Sequence, residues 1–344
     1  MFGDIGIDFG TANVLIATGK KILLKEPSIV SIDSRSNTII AIGKDADAMS
    51  ERAPEYINPV HPLCDGVISK YGLAEIMLKY YLRKTTRFFT FKPRIAMCVP
   101  SGITEVESKA VIEAAYSAGA RKVFLVDEPL AAAIGAGLNI SKPKGILIVD
   151  IGGGTTDVAL LSLNDIVSKG SIKIAGNKFD DAIVSAIREK YNIIIGRKTA
   201  EQIKIKIGSV IGFDDNRKLE IRGLSLSSNL PKQITISWRD VFEPLCELAK
   251  QISICIRSVL EQTPPDLVGD IISTGVLLTG GGSLLHGFPQ YLENYIRSPI
   301  ILPPNPLDCV ALGSGKIFSY PDLLIEGFES LPKYDELQFK HIPK

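Results

Sequence analysis

The chain has 344 residues, and since domains usually hold roughly 100–200 residues, this length predicts at least two domains. Hydrophobic residues make up 45% and charged residues 22%, which is ordinary for a globular protein and excludes a disordered or collagen-like chain. The 39 Lys and Arg residues nearly balance the 38 Asp and Glu residues, so the net charge of +1 gives no reason to expect nucleic-acid binding.

Cysteine use and hydropathy bear on where the protein works. The five cysteines are odd in number and never in CxxC spacing, which argues against a disulfide framework or zinc site and predicts reduced thiols. No apolar run approaches the ~20 residues needed to span a bilayer. The first residues enter a strand pattern directly, so we expect no signal peptide. We therefore expect a cytosolic protein whose only contact with a membrane is peripheral.

Strand-like and helix-like patterns alternate along the chain, which predicts an α/β fold. We expect strands at 5–9, 13–18, 22–32, 37–43, 95–99, 122–126, 146–150 and 158–163. We expect helices at 71–84, 104–118, 178–191, 199–210 and 241–262, and one that begins at Pro129. Pro264 and Pro265 are expected to stop the helix at 241–262, and 276–288 is predicted to form a strand, a glycine turn and a helix.

One short pattern occurs twice: a β-rich run ends in an aspartate and is followed by a glycine turn and a second β-rich run. The two copies begin at Asp8 and Asp150, about one domain length apart. Two similar domains, each with an acidic glycine turn, imply a cleft between them, and ligand pockets favour such interfaces.

Both glycine turns suit the binding of nucleotide phosphates. Backbone N–H groups approach a phosphate closely where no Cβ obstructs, and Thr and Asn side chains add donors. The first turn comprises Gly10, Thr11, Ala12 and Asn13, and the second comprises Gly152, Gly153, Gly154, Thr155 and Thr156. Asp8 and Asp150 would repel a phosphate unless Mg²⁺ lies between, held through its water ligands. The alternative is a pair of tight hairpins with capping aspartates.

A third glycine motif, Gly280, Gly281 and Gly282, follows an apolar strand and would let the backbone pass beside a flat base and ribose. Its alternative is a simple strand-to-helix turn with Ser283 as the N-cap. The chain contains no GxxxxGK[ST] P-loop and no strand–GxGxxG–helix Rossmann motif at the start of a βαβ unit.

Three charged residues have more than one interpretation. Glu128 precedes Pro129, a favoured first helical position, and would either complement the helix dipole or orient and deprotonate a water that attacks a γ-phosphate. Glu201 and Lys204 lie three residues apart on one helical face, where the simplest interpretation is a surface ion pair.

The three glycine motifs in this order resemble the actin-fold ATPases, and longer stretches are similar to the MreB/Mbl family of bacterial actins. Those stretches are GIDFGTANVLI, EPSIV, CVPSGITEVE, DEPLAAAIGAG, VDIGGGTTDVA, TAEQIKIKIGS and LLTGGGSLLHGF. The resemblance runs from residue 2 to about residue 318. It implies an α/β, actin-like ATPase fold of duplicated ribonuclease H-like domains, with four subdomains around a nucleotide cleft.

The resemblance also implies a division of the chain into two halves. The first half is expected to span 1–144, with a smaller subdomain at about 32–68, and to be closed by the C-terminal segment 318–344. The second half is expected to span 145–317, with a smaller subdomain at about 177–245.

Roles for single residues follow from the same resemblance. Gly10–Asn13 and Gly152–Thr155 match the two phosphate loops, and Asp8 and Asp150 match the positions that hold the waters of Mg²⁺. Glu128 matches the catalytic glutamate and Thr155 the threonine that positions water. Glu201 and Lys204 match the helix that flanks ribose and adenine, and Gly280–Gly282 match the adenosine loop.

In this family the expected activity is slow ATP hydrolysis coupled to assembly into double, antiparallel protofilaments. The filaments are expected at the inner face of the cytoplasmic membrane, where they organise cell-wall elongation and cell shape. A membrane contact is expected at Phe88 and Phe89, which lie in an acid-free stretch with Lys79, Arg83, Lys84, Arg87, Lys92 and Arg94. The alternative is that these phenylalanines pack against their own domain.

Two other functions remain open for an actin-fold chain. One is an ATPase that never polymerises, such as a heat-shock-type chaperone, although little sequence remains after residue 318 for a peptide-binding domain. The other is a small-molecule kinase of the same superfold, in which Glu128 would serve as the base for a bound acceptor.

Overall fold

A computed structural model of the chain describes residues 3–50, 52–86, 92–213 and 215–326. Up to residue 136 the strands are β1 (Asp4–Phe9), β2 (Asn13–Thr18), β3 (Lys21–Pro27), β4 (Val30–Asp33), β5 (Thr38–Ile42), β6 (Ile57–Val60), β7 (Leu63–Cys64), β8 (Val67–Ile68), β9 (Arg94–Val99) and β10 (Lys122–Asp127). The helices of this part are α1 (Lys44–Met49), α2 (Tyr71–Thr86), α3 (Glu105–Ser117) and α4 (Glu128–Ala136).

Beyond residue 136 the strands are β11 (Ile146–Ile151), β12 (Thr156–Ser162), β13 (Asp165–Ile172), β14 (Ile193–Ile194), β15 (Lys218–Ser225), β16 (Pro231–Ser237), β17 (Val276–Thr279), β18 (Ile300–Ile301) and β19 (Ile325–Glu326). The helices are α5 (Gly176–Tyr191), α6 (Arg197–Ile207), α7 (Arg239–Glu261), α8 (Pro265–Thr274), α9 (Phe288–Ile296) and α10 (Cys309–Lys316).

Two large mixed sheets share the topology of five strands, to which the first sheet adds β19 at its edge. The first has the order β19–β10–β9–β1–β2–β3, and the second has the order β13–β12–β11–β17–β18. In each sheet an antiparallel meander, β1–β2–β3 or β11–β12–β13, continues into two parallel strands. Asp8 and Asp150 occupy the same place, one residue before the end of the first meander strand. The duplication predicted from these two aspartates is therefore confirmed.

Smaller sheets accompany the large ones. The sheet β5–β4–β6 is built from 30–60, and the sheet β14–β15–β16 is built from 193–237. The predicted division at residue 144, with subdomains at 32–68 and 177–245, stays a prediction. The chain comes back to the first sheet near its end, since α10 packs on β1 and β2, and β19 pairs with β10.

Local sequence explains where most helices begin and end. Thr104 and Glu107 form a reciprocal capping box that starts α3, and Gly137, with φ +83°, ends α4. The helix predicted at 199–210 ends earlier, at Ile207, because the Ser209 hydroxyl accepts the N–H of Gly212 and turns the chain. Pro265 begins α8, so the proline pair both ends one helix and starts the next.

Helices α4 and α10 lie between the two large sheets and join them through one apolar cluster. Its buried members come from both sheets and both helices: Ala96, Cys98, Val126, Leu130, Ala131, Ala132, Ala133, Ile134, Ile140, Ile148, Ala159, Leu161, Leu277, Cys309, Val310 and Ile317. A Cβ on Gly135 would collide with the carbonyl of Cys309, and one on Gly313 would collide with the carbonyl of Ala131. The helices therefore approach closely because both positions lack a side chain.

None of the described helices is long and apolar enough to cross a membrane. The predicted membrane residues Phe88 and Phe89 lie outside the described residues.

We expect Gly313→Ala to lower the free energy of unfolding by about 1–3 kcal/mol, because the new methyl group would force α10 away from α4. Gly269→Ala is the matched control, since Gly269 lies in α8 with open space around it and should gain up to about 1 kcal/mol from the better helix propensity of alanine. Urea unfolding measures both. Equal stability of the two variants would contradict the packing described for α4 and α10.

Candidate functional site

A cavity of about 370 Å³ opens between the two large sheets. Most residues that the sequence predicted for the site line it: Asp8, Gly10, Thr11, Ala12, Asn13, Glu128, Asp150, Gly152, Gly153, Gly154, Thr155, Glu201, Lys204, Gly280, Gly281 and Gly282. Thr156 of the second turn does not, because its hydroxyl points away and donates to the carbonyl of Ile174. The structure thus brings together residues that are up to 274 positions apart in the chain, from Asp8 to Gly282.

The two hairpin turns face each other at the centre of the cavity. A Cβ on Gly153 would lie 2.7 Å from the Cβ of Ala12, and one on Gly154 would lie 2.6 Å from Oγ1 of Thr11. Both glycines are therefore required for the turns to approach. A third segment joins them where Gly66 donates its N–H to Thr11 Oγ1 at 2.8 Å. Gly66 was not predicted, although a glycine after Asp65 is a recognisable turn signal.

The third glycine loop supports the second one. Gly280 has φ +80° and packs against the backbone of Ile151, while Gly282 packs against the Ile151 side chain, so neither position has space for a Cβ. Directly before this loop, Thr279 Oγ1 donates a hydrogen bond of 2.7 Å to Asp150 Oδ1. Thr279 was not predicted either, although a hydroxyl residue at the end of the apolar strand β17 would have indicated it.

Two acidic side chains lie where their strands reach the cavity. Burial raises the pKa of Asp8 to about 7, with a further contribution from the charge of Asp150 and an opposing one from Lys25. Burial also raises the pKa of Asp150 to about 6, against the hydrogen bond from Thr279. Lys25 lines the cavity and forms a 2.8 Å ion pair with Asp308, and neither residue was predicted from the sequence.

Glu128 is the first residue of α4 and reaches the cavity close to the other carboxyl groups. Burial raises its pKa well above the usual value, and the charges of Asp157, Asp8 and Asp150 add to the rise. Asp157 is fully buried, and its Oδ1 accepts the backbone N–H of Ser101 at 2.8 Å. Sequence reasoning missed Asp157, although an acid inside the apolar strand TDVALLS is unusual.

Helix α6 provides one wall at the far end of the cavity. Lys204 pairs with Asp180 of α5 at 2.9 and 3.0 Å and donates to the Gly176 carbonyl at 3.1 Å. The simplest interpretation from the sequence, an ion pair of Lys204 with Glu201 on the surface, is therefore wrong for Lys204, because the buried carboxylate of Asp180 offers a less screened partner. Glu201 is exposed at the rim.

The residues at the centre of the cavity fit a magnesium ion. Asp8 and Asp150 are both at strand ends on the cavity wall, and each carries a pKa raised by burial. The charge of Asp150 adds to the rise at Asp8, so a cation near both carboxylates would be favoured. Carboxylate oxygens are the ligands of hard cations such as Mg²⁺.

Comparisons with known proteins agree with the fold. The family model described as MreB/Mbl protein matches residues 2–326. The cell shape-determining protein Mbl of Bacillus cereus is 47% identical over 332 residues, which cover 96% of this chain and 98% of the relative. The cell shape-determining protein MreB of Escherichia coli is 42% identical over 327 residues, which cover 93% of this chain and 94% of the relative.

Solved structures show the same similarity. MreB5 of Spiroplasma citri bound to AMPPNP superposes with a TM-score of 0.87 at 38% identity and covers 94% of this chain and 97% of its own. The MamK double helical filament has a TM-score of 0.75 at 19% identity, which supports the actin-like fold alone. The predicted α/β actin-like fold is thus confirmed, and the chain belongs to the MreB/Mbl family of cell shape-determining proteins.

Proposed function

We propose that this protein binds ATP or ADP with Mg²⁺ in the cavity, hydrolyses ATP slowly and assembles into double, antiparallel protofilaments. These filaments would lie at the inner face of the cytoplasmic membrane and determine cell shape, in a walled cell by organising wall elongation. One observation carries the proposal: three glycine loops and two strand-end carboxylates, from separate parts of the chain, converge on one cavity. The S. citri relatives bound to AMPPNP and to ADP support it.

The nucleotide would lie across the cavity with its phosphates between the two hairpin turns. Backbone N–H groups of Gly10–Asn13 and of Gly152–Thr155 would donate to the phosphate oxygens, as glycine-rich turns do. The adenosine would lie between the loop Gly280–Gly282 and α6, where Lys204 is already held by Asp180. A volume of about 370 Å³ is within the usual range for small-molecule sites.

Asp8 and Asp150 would hold Mg²⁺ through its waters. The ion, when bound, neutralises charge on the phosphates and on these two carboxylates.

The chain's own residues would carry out hydrolysis. Glu128 would accept a proton from the attacking water, and a carboxylate whose pKa is raised by burial is a stronger base than an ordinary glutamate. Thr155, 6% exposed and on the cavity wall, would hold that water in line with the γ-phosphate. Loss of the γ-phosphate would then change the angle between the two halves.

We expect Glu128→Ala to retain ATP binding while phosphate release from Mg²⁺-ATP falls by about 10²-fold, since one general base contributes on that order. Phosphate release is measured without any added acceptor, which a small-molecule kinase would require. Glu113→Ala, which removes an exposed glutamate of α3, is the control. Undiminished turnover in Glu128→Ala would refute the role given to Glu128.

The raised pKa of Asp8 predicts how stability depends on pH. Because the folded state holds this proton more tightly than the unfolded state does, the contribution of Asp8 to stability falls as pH rises from about 4 to about 7. Asp8→Asn should therefore stabilise the nucleotide-free protein at pH 8, by on the order of 2 kcal/mol, and much less at pH 5.

The same variant should lose the stabilisation that Mg²⁺-ADP gives the parent protein. Urea unfolding at both pH values, with and without Mg²⁺-ADP, tests both effects. Asp322→Asn, at an exposed aspartate outside the cavity lining, is the control. An Asp8→Asn protein that is no more stable than the parent at pH 8 would contradict the electrostatic account of Asp8.

Ion pairs of the described residues on either side of 87–91 reduce the number of basic groups available to a membrane. Lys84 pairs with the buried Glu26 at 2.7 Å, and Arg94 pairs with Asp4 at 2.6 Å. Lys79, Arg83 and Lys92 are exposed. We therefore propose that Phe88 and Phe89 contact the membrane with fewer basic side chains beside them than the sequence analysis expected.

Replacing Phe88 and Phe89 with serine should reduce co-sedimentation with anionic liposomes several-fold, because each phenylalanine would lose its burial among acyl chains. Nucleotide binding and ATP-dependent pelleting without lipid should survive. Leu163→Ser, at a leucine that is 62% exposed in the β12–β13 turn, is the matched control. Unchanged sedimentation of the double variant would exclude this contact, and absence of ATP-dependent pelleting in the parent protein would exclude the filament.

A further inference from the structure

Asp157 is a buried carboxyl group close to Glu128 of the cavity lining, and the proposed hydrolysis gives it no role. It lies on β12 directly opposite Asp150 of β11, and residues opposite each other in an antiparallel pair point to the same face of the sheet. Asp157 therefore points the same way as Asp150, which lines the cavity. In the first sheet the position opposite Asp8 is Leu15. The acid thus has no counterpart in the other half of the duplicated fold.

The contacts of Asp157 leave one of its oxygens available. Oδ1 accepts the N–H of Ser101, which follows β9 in the first half of the chain. Oδ2 is buried, and no donor of the described residues reaches it in full hydrogen-bond geometry.

Thr155 directly precedes β12 and continues its pairing with β11, since its carbonyl accepts the N–H of Gly152. Residues two apart in an extended strand face the same side, so Thr155 and Asp157 lie side by side. Burial raises the pKa of Asp157, and hydrogen bonding from Ser101, Ser171 and Thr155 opposes the rise.

We propose that Asp157 is a positioning residue, whose free oxygen takes the hydrogen of the Thr155 hydroxyl and so fixes the direction in which Thr155 bonds to the attacking water. This inference rests on the proposed ATP hydrolysis. A threonine hydroxyl has one hydrogen and two lone pairs. When the hydrogen points to Asp157, only lone pairs face the cavity, and the water has to donate to Thr155.

The lone pairs of the water oxygen then stay free for attack. The water donates one hydrogen bond to the Thr155 hydroxyl and one to the Glu128 carboxylate. A lone pair on its oxygen can then face the γ-phosphorus. The new bond forms between that oxygen and phosphorus, the bond from phosphorus to the bridging oxygen of ADP breaks, and the proton passes to Glu128. Without Asp157, the Thr155 hydroxyl is free to donate its hydrogen to the water. A lone pair of the water would then face Thr155 instead of the γ-phosphorus.

A double-mutant cycle of Asp157→Asn and Thr155→Val tests the coupling, because both changes nearly preserve shape. Asp157→Asn alone should lower kcat for phosphate release by about 10-fold or more and change the Kd for ATP by less than about threefold. In the Thr155→Val background the same change should alter kcat by less than about twofold, since no hydroxyl remains to be turned. In the Thr155→Ser background, which keeps a hydroxyl, the loss should reappear.

Losses of kcat that add in the double variant would overturn the proposal, as would an effect of Asp157→Asn on the Kd for ATP alone. Thermal stabilisation by ADP reports that each variant is folded. Should Asp157→Asn not fold, Asp157→Ser enters the same cycle with the same expected coupling. A parent protein that binds ATP and releases no phosphate would refute the proposed hydrolysis itself, so the two failures can be told apart.

Discussion

The close approach of α4 and α10 is the contact on which the rest of the structure depends. Each large sheet needs cover for its inner face, and these two helices provide it for both sheets at once. The approach is possible because Gly135 and Gly313 place bare backbone against the neighbouring helix. Glu128 is the first residue of α4, and Val310 of α10 lines the cavity. The packing of two helices therefore sets the position of the floor of the site.

A second constraint comes from the acidic residues that lie near one another around the site. Asp8, Asp150, Glu128 and Asp157 bring four carboxyl groups together where burial raises the pKa of each. A fold selected for stability alone would not bury this many acids, since unpaired buried charges are destabilising. The arrangement is understandable if a cation and a phosphate chain complete the site. The same buried carboxyl groups would then lower the stability of the nucleotide-free protein and provide its proposed affinity for Mg²⁺-nucleotide.

The two halves of the duplicated fold are not equivalent beside their strand-end aspartates. The first half contributes Leu15 opposite its aspartate, whereas the second contributes Asp157 opposite its own. The second half also supplies the wall formed by α6, with Lys204 held by Asp180. In the proposed reaction, the residues that position and deprotonate water are therefore Thr155 and Asp157 of the second half and Glu128 of the first. Similar topology thus supports different roles, because the side chains at matching positions differ in polarity.

Local patterns in the sequence were sufficient for much of the fold. Hydrophobic periodicity located the main strands and helices, and glycine next to a strand-end aspartate identified both central turns and their duplication. Errors arose where a distant contact decided the outcome. Helix α6 ends at Ile207 because Ser209 bonds to Gly212 and contacts His286, which is far along the chain. Helix α10 was not predicted, since its small residues give no amphipathic pattern and are explained only by the helix they pack against.

The sequence by itself determined which residue types reach the cavity, because glycine turns and strand-end acids depend on backbone geometry within a few residues. It also showed membership of the MreB/Mbl family, since long motifs persist throughout the chain. Only the tertiary structure decided which groups touch. That Lys204 pairs with Asp180, that Thr279 donates to Asp150 and that Asp157 bonds to Ser101 depends on how separate segments pack. Burial and the pKa shifts it causes are properties of that packing, and no local stretch of sequence contains them.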